Sequence, residues 1–256
     1  MITAAMKDVS ILGCGWLGKP LAVSLLAKGF SVKGSTTSLE KLKTLQSVHI
    51  KPFLVDVFSD ENYSDFLSSD ILIIAITSKD IEAFKSFIKQ IENSTVSKII
   101  FISSTSVYPS LNKEMTEEDE TISSPLFQIE ELFRNNKSFK TTIIRFAGLF
   151  GEGRNPGNWF KNGREIPHPE GFVNMIHQED CISIIEEVIK QNSWNTTFNA
   201  CSNHHPTRRE FYTNAKLKLG FEVPKFIENE PLKYKVISSE KVQKKLNYQF
   251  KYDNLV

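Results

Sequence analysis

The stretch VSILGCGWLG, residues 9–18, limits the fold of this 256-residue chain more than any other. Four residues read as a buried strand, three glycines follow as Gly13-x-Gly15-x-x-Gly18, and a helix-period segment runs from Leu17 to Lys28. Each glycine has its own task in such a turn. Gly13 bends the chain out of the strand, Gly15 lets backbone approach a pyrophosphate, and Gly18 lets the helix pack against the strand. The helix then offers unpaired N–H groups and a positive dipole end to an anion. Strand before and helix after make this a dinucleotide site, with Gly13, Gly15, Trp16, Leu17 and Gly18 as its loop.

The same alternation continues. FSVKGS (30–35), IKPFLV (50–55), DILIIAI (70–76), SKIIFIS (97–103) and TTIIRFA (141–147) read as five further strands. Helices are expected over 39–45 behind Ser38, over 80–92 and over 178–191, with a strand near Phe198–Ala200. Strands apolar throughout, separated by helices, predict a parallel sheet covered on both faces. The fold class is therefore α/β, a Rossmann-like doubly wound parallel sheet. The segment GLFGEGRNPGNWFKNGREIPHPEG loosens this rhythm, and beyond Pro206 comes a helix, a short apolar segment and another helix. One Rossmann-type domain over 1–256 is expected, with a small substrate-side subdomain formed mainly by about 149–172 and 203–256.

Composition removes several classes of partner. With 31 Lys+Arg against 30 Asp+Glu the formal charge is +1, so nothing global attracts nucleic acid or a membrane. Lys241, Lys244 and Lys245 read as a solvated helix face. The apolar run ILIIAI is too short to cross a bilayer, and the N-terminus lacks the charged and apolar regions of a signal peptide. Met1–Met6 reads as a frayed lead-in. Cys14, Cys181 and Cys201 are scattered and odd in number, which fits reduced thiols in a cytoplasm rather than disulfides or zinc. His204 and His205 are adjacent and diverge, so no metal is expected. A small-molecule substrate of unknown identity is the expected partner, with a homodimer as an open possibility.

An NAD site usually ends its second strand with an acid that binds the ribose 2′-OH. Here that strand ends in GSTTS, with the hydroxyls of Ser35, Thr36 and Thr37 and with Lys41 one helical turn on. NADP is favoured over NAD. Ser38 also reads as the cap of the next helix.

FISSTSVYP (101–109), IIRFAGLFGEG (143–153) and VNMIHQEDC (173–181), together with the glycine loop, resemble the extended and atypical short-chain dehydrogenase/reductases. Within them, the chain is similar to small NAD(P)-dependent epimerase/dehydratase-like proteins with a GxGWLG loop. The resemblance runs in order from about Val9 to the C-terminus. It implies that Ser104 bonds a substrate oxygen with Thr105 beside it, and that Asp56 meets the adenine. It implies that Ala75, Ile76 and Thr77 flank the cofactor ribose, and Phe146 and Ala147 the nicotinamide. His177 and Asp180 fall on the substrate side. Each has a plainer reading too: a strand-end hydroxyl for Ser104, a cap or ion pair for Asp180, a structural imidazole for His177. Trp159 and Phe160 line a pocket or simply pack.

The family's Tyr-x-x-x-Lys should open the helix after the fifth strand. SSPLFQIEELF, residues 123–133, contains neither residue. Aligned on its glutamates, Ser123 or Ser124 takes the tyrosine's place and Phe127 or Gln128 the lysine's. Tyr108 is the nearest remaining phenol in sequence and, with Ser104, a candidate catalytic residue. General acid–base help contributes about 10²–10⁴-fold, so its loss slows hydride transfer without forbidding it. Two functions of different class remain: an oxidoreductase or epimerase on a small carbonyl or sugar-nucleotide-like substrate, and a non-catalytic NADP-binding sensor or partner-binding protein. LGCGWLGKPLA also resembles the opening of β-hydroxyacid dehydrogenases, but too few residues follow Ala147 for their helical domain.

Overall fold

The computed structural model describes residues 8–160 and 162–256; the lead-in at Met1–Met6 lies outside them. In chain order the elements are β1 (Asp8–Leu12), α1 (Gly18–Ala27), β2 (Ser31–Thr36), α2 (Leu39–Gln46), β3 (Lys51–Leu54), α3 (Ser64–Leu67), β4 (Ile71–Ile74), α4 (Ile81–Glu92) and β5 (Lys98–Ser104). There follow β6 (Glu114–Met115), α5 (Pro125–Arg134), β7 (Lys140–Phe146), β8 (Gly148–Phe150), β9 (Met175–His177) and α6 (Gln178–Lys190). The chain closes with β10 (Thr196–Ala200), α7 (Arg208–Leu217), β11 (Val236–Ile237) and α8 (Glu240–Leu246).

Seven strands form one sheet in the order β10-β7-β5-β4-β1-β2-β3. The β1–β2, β2–β3, β1–β4 and β4–β5 pairings are parallel, with Val9 facing Val32 on one side and Ile71 on the other. Chain order reverses at β1: β2 and β3 extend to one side, β4 and β5 to the other. This is the doubly wound arrangement, and its ligand crevice lies beyond the carboxyl ends of β1 and β4. Pro52 and Lys51 lie on edge strand β3, where a missing donor and a charge are tolerated. No described helix is long and apolar enough to cross a membrane.

The chain packs as two compact units. The first comprises residues up to Ser103, Ser123–Ile144 and Ile185–Thr197; the second comprises Ser104–Ile122, Arg145–Ile184 and Phe198–Val256. In the first unit β4 is buried at every position. Helix α4 starts at Asp80, whose side chain accepts the Ala83 N–H, and its Phe84, Phe87, Ile88 and Ile91 are buried at helical spacing. Phe84, Phe101 and Phe133 meet with ring centroids 5.1–6.1 Å apart, two of the three pairs edge to face. Such contacts add about 0.5–1.5 kcal/mol per pair beyond area burial. In the second unit β8 pairs with β9 and β6 with β11, both parallel. A small cluster of Val173, Met175 and Phe211 includes a residue of β9, and Phe150 of β8 packs against it.

Candidate functional site: a phosphate loop and its cavity

The glycine loop is fixed from two sides, entirely within the first unit. Gly13 donates its N–H to the Ser35 hydroxyl oxygen at 2.9 Å, and Cys14 donates its own to the Ser35 carbonyl at 2.8 Å. Gly13 has φ +96°, and a Cβ there would lie 2.6 Å from Ile76 Cγ2 and 3.0 Å from the Ala75 carbonyl. A Cβ on Gly18 would lie 2.1 Å from the Gly13 carbonyl oxygen. Gly15 differs from both. It is exposed, and nothing lies within 4 Å of a Cβ placed there. Neither internal packing nor a left-handed φ accounts for that glycine, which leaves an open cradle at the start of α1. The residue before α1, Leu17, supplies no side-chain cap, and no acid occupies the first turn. Those N–H groups and that cradle fit a pyrophosphate. Gly34 admits Cys14, whose sulfur would be 2.6 Å from a Cβ at that position, and burial pushes the Cys14 thiol up to about 12.

A cavity of about 420 Å³ opens beside this loop, walled by residues 12–15, 35–37, 41, 55–58 and 76–78. It brings together the loop, the end of β2, Asp56 and the segment after β4. Ser35 is 1% exposed and lies on the cavity wall, and because its hydroxyl oxygen is engaged by the Gly13 N–H it also holds the loop. Thr36 Oγ1 accepts the Ser38 N–H at 3.1 Å, while Ser38 makes no side-chain cap on α2. Thr37 and Lys41 remain exposed on the cavity wall. Asp56 is exposed, and its Oδ1 accepts the Phe58 N–H at 3.0 Å. Phe58, 63% exposed on the same wall, had no signal in the sequence beyond being an apolar residue in a loop.

In the second unit, Ser104 closes β5 and starts a short turn over Thr105–Val107, its Oγ accepting the Ser106 N–H at 3.1 Å. The Ser104 O–H is left as a donor on a partly exposed residue. Lys235, also unsignalled in the sequence, donates to the Thr105 carbonyl at 2.9 Å and the Tyr108 carbonyl at 2.5 Å. Burial lowers its pKa. Tyr108 does not present a free phenol. It is 2% exposed, donates to Asn199 Oδ1 at 2.9 Å and accepts from Arg145 at 2.6 Å. Burial raises its pKa, and the Arg145 charge opposes that rise. Both hydrogen-bonding directions are used internally, which is the arrangement of a structural residue.

Phe146 and Ala147 are buried, and the Ala147 N–H bonds the Ala200 carbonyl at 3.0 Å. His177 ends β9, one residue before α6. Its ring stacks on Tyr252 with centroids 3.6 Å apart and meets Phe150 edge on. Its Nδ1 accepts the Glu179 N–H at 3.2 Å, and burial lowers its pKa. The Nε2 of the neutral ring therefore carries the proton. Asp180 is fully buried. It accepts Tyr248 Oη–H at 2.6 Å, Lys251 N–H at 2.8 Å and Tyr252 N–H at 3.2 Å, so it anchors residues 248–252 instead of facing a substrate.

The loop carrying Trp159 and Phe160 is clamped to α7. A Cβ on Gly157 would be 2.2 Å from the Ala215 carbonyl, and Lys216 donates to the carbonyls of Gly157 and Trp159. Both aromatic rings lie against Tyr212, as packing would have it. In the first unit, α5 begins at Pro125 behind Ser124, whose Oγ accepts the Phe127 N–H at 3.3 Å. Gln128 is exposed, and buried Glu130 accepts from Ser103 Oγ at 2.5 Å and pairs with Arg134.

The family model for the NAD binding domain of 6-phosphogluconate dehydrogenase matches residues 8–124. Protein YeeZ of Escherichia coli K12 is 30% identical over 266 aligned positions, which span 96% of this chain and 97% of that protein. Among solved structures, a functionally unknown conserved protein from Silicibacter pomeroyi superposes with TM-score 0.82 at 17% identity, covering 98% of this chain and 95% of that one. A short-chain dehydrogenase/reductase superfamily protein from Agrobacterium tumefaciens with bound NAD gives 0.79 at 15% identity, with 96% and 93% covered. UDP-glucuronic acid 4-epimerase from Bacillus cereus in complex with NAD gives 0.77 at 16% identity, with 95% and 94% covered. The likeness to these three is one of fold.

Proposed function

The chain belongs to the family of the Escherichia coli protein YeeZ, with the NAD(P)-binding fold of the atypical and extended short-chain dehydrogenase/reductases, and from that premise we propose that it is an NADP-dependent reductase or epimerase-type enzyme acting on a small carbonyl or sugar-nucleotide-like substrate. The observation that carries the cofactor reading is Gly15: an open cradle at an uncapped helix N-terminus, beside a cavity whose β2 side presents Thr37 and Lys41. In this reading the backbone of Gly13, Gly15, Trp16, Leu17 and Gly18 surrounds the pyrophosphate. Thr37 and Lys41 take the 2′-phosphate, with Thr36 beside them, and Asp56 takes the adenine amine. Ala75, Ile76 and Thr77 border the ribose, with Phe146 and Ala147 on the nicotinamide side. Glu40 shares the first turn of α2 with Lys41 but is not on the cavity wall, so the β2 side of the cavity offers the charge of Lys41, while the Asp56 carboxylate lies on the side that follows β3.

The nicotinamide, when bound, supplies or accepts a hydride. The remaining work falls to the chain's own groups. Ser104 donates its O–H to the substrate oxygen, and Lys235 holds the turn that follows Ser104. No side chain with the acid strength of a tyrosine paired to a lysine takes part, so turnover is slow. A second reading, a non-catalytic NADP-binding sensor, is favoured by the internal engagement of Tyr108 and by the absence of tyrosine and lysine from residues 123–133.

Titration with NADPH and NADH, followed through Trp16 fluorescence, tests the cofactor. NADPH should bind more tightly. Lys41→Gln should remove about tenfold of that preference, as expected for a hydrogen bond to a charged group worth about 1.5 kcal/mol. Equal affinity for the two cofactors would end the NADP assignment. With the preferred cofactor bound, turnover of any carbonyl that is lost in Ser104→Ala supports the enzyme; tight binding with no turnover across a broad panel supports the sensor.

A further inference from the structure

A second exposed group on the cofactor cavity has no role in the resemblance. Phe58 leaves 63% of its surface in water, although burying a phenylalanine side chain is worth about 1.5–3 kcal/mol. The loop that carries it does not allow it to turn inward. Tyr63 Oη donates to the Asp56 carbonyl at 2.8 Å and accepts the Asp56 N–H at 3.0 Å. The Ser59 N–H reaches the same carbonyl, and Asp56 Oδ1 takes the Phe58 N–H. Gln90 of α4 fastens the loop's far end through Tyr63 N and the Glu61 carbonyl, both at 3.0 Å. Val55, Val57 and Tyr63 occupy the inward positions and are buried. The chain thus spends a network of hydrogen bonds on a short loop whose middle residue is an outward aromatic ring on a cavity wall.

We infer that Phe58 is the stacking plate for the purine of the dinucleotide, beside the Asp56 carboxylate to which the resemblance already gives the adenine. The inference rests on the NAD(P) reading of the same cavity. An aromatic face accepts any base. Selection comes from Asp56, an exposed residue of the cavity wall whose Oδ1 takes the Phe58 N–H, which leaves Oδ2 as the acceptor for a donor on the base. A 6-amino group supplies that donor, whereas a 6-oxo group sets oxygen against carboxylate. The Phe58 N–H holds the Asp56 carboxylate, so acceptor and plate are carried by nearby positions of one loop.

The test is calorimetric titration of the whole chain with NADPH, with 2′,5′-ADP as the adenine half alone, and with the hypoxanthine analogue of NADPH. Phe58→Ala should weaken NADPH and 2′,5′-ADP together by about five- to hundredfold, the range for loss of one base–aromatic stack. Phe58→Trp should restore most of the affinity and Phe58→Leu little of it, with thermal midpoints unchanged because the ring is exposed. Wild type should bind the hypoxanthine analogue at least tenfold more weakly, and Asp56→Asn should narrow that gap. Affinities within twofold of wild type in Phe58→Ala, in a chain where Gly15→Ala still abolishes binding, overturn the plate and leave the cofactor reading intact. Equal rescue by Leu and Trp also overturns it, since bulk alone would then suffice. Failure of wild type to bind NADPH, NADH or 2′,5′-ADP overturns the cofactor reading and the plate with it.

Discussion

The hydroxyl oxygen of Ser35 accepts the backbone N–H of Gly13 across 2.9 Å, joining the end of β2 to the first glycine of the phosphate loop. Ser35→Ala leaves that N–H without its partner in a part-buried place, at a cost of about 1–3 kcal/mol. Urea denaturation should show a lower midpoint, and dinucleotide affinity should fall with it as the loop loosens. A variant with unchanged midpoint and affinity would show that the neighbouring Cys14–Ser35 backbone bond holds the loop alone.

Two glycines of one motif should behave in opposite ways. Gly13→Ala combines a positive φ with a clash 2.6 Å from Ile76, so it should lower stability by several kcal/mol or prevent folding. Gly15→Ala places a methyl group in open space and should leave the melting temperature within about a degree. It should nonetheless remove most dinucleotide affinity by filling the cradle. Retained affinity in a stable Gly15→Ala chain would count against the pyrophosphate assignment.

Asp180 makes a third case, in which stability and ligand binding separate. Asparagine keeps Oδ1 for Tyr248 and Lys251 but turns an acceptor into a donor opposite the Tyr252 N–H. A loss of about 1.5–3 kcal/mol is expected, the scale for a hydrogen bond to a charged group. Denaturant midpoints of Asp180→Asn and Tyr248→Phe check this. An effect on substrate handling with the midpoint intact would return Asp180 to the substrate side.

Stability should depend on pH through His205 as well. Burial depresses its pKa below 6.5, and Val173 C=O accepts from its Nδ1 at 3.1 Å. As pH falls through about 6.5 the unfolded chain takes up this proton first, so it binds more protons than the folded chain and stability declines. The contribution is present above 6.5 and is lost as pH falls toward the depressed folded value. His177 shifts the same way. Unfolding midpoints between about pH 7.5 and 5.5 should fall in wild type and fall less in His205→Gln. A flat profile in wild type would remove the argument.

The sheet was legible because a parallel strand covered on both faces has no polar side, as ILII of β4 illustrates. The phosphate loop was legible because each glycine answers to a separate steric demand. The loop-holding role of Ser35 was hidden for a local reason: β2 does not alternate, since Gly34 makes room for Cys14 and the next residue is buried too. Tyr108 and Asp180 misled for a distant one. Their partners lie 37 and 91 residues further along the chain for Tyr108 and 68–72 for Asp180, where no spacing rule connects them. β6, β8, β9 and β11 are two or three residues long, too short to show a period. Lys235 and Phe58 gain meaning only from the carbonyls and the cavity that folding brings to them.

The division of the first unit into three stretches also sets a schedule for synthesis. Five strands of the sheet exist once Ser104 has emerged, but the aromatic face around Phe101 lacks Phe133 until α5 follows, and the unit is complete only at Thr197. At about 5–20 residues per second, the last 94 residues of that interval take roughly 5–20 s. In the first part of that time, until Phe133 has emerged, Phe84 and Phe101 lack their partner ring on the nascent chain. Helper factors that shield apolar surface at the ribosome would have their greatest effect on yield in this window, and slowing translation between the codons for Ser104 and Phe133 would lengthen the exposure.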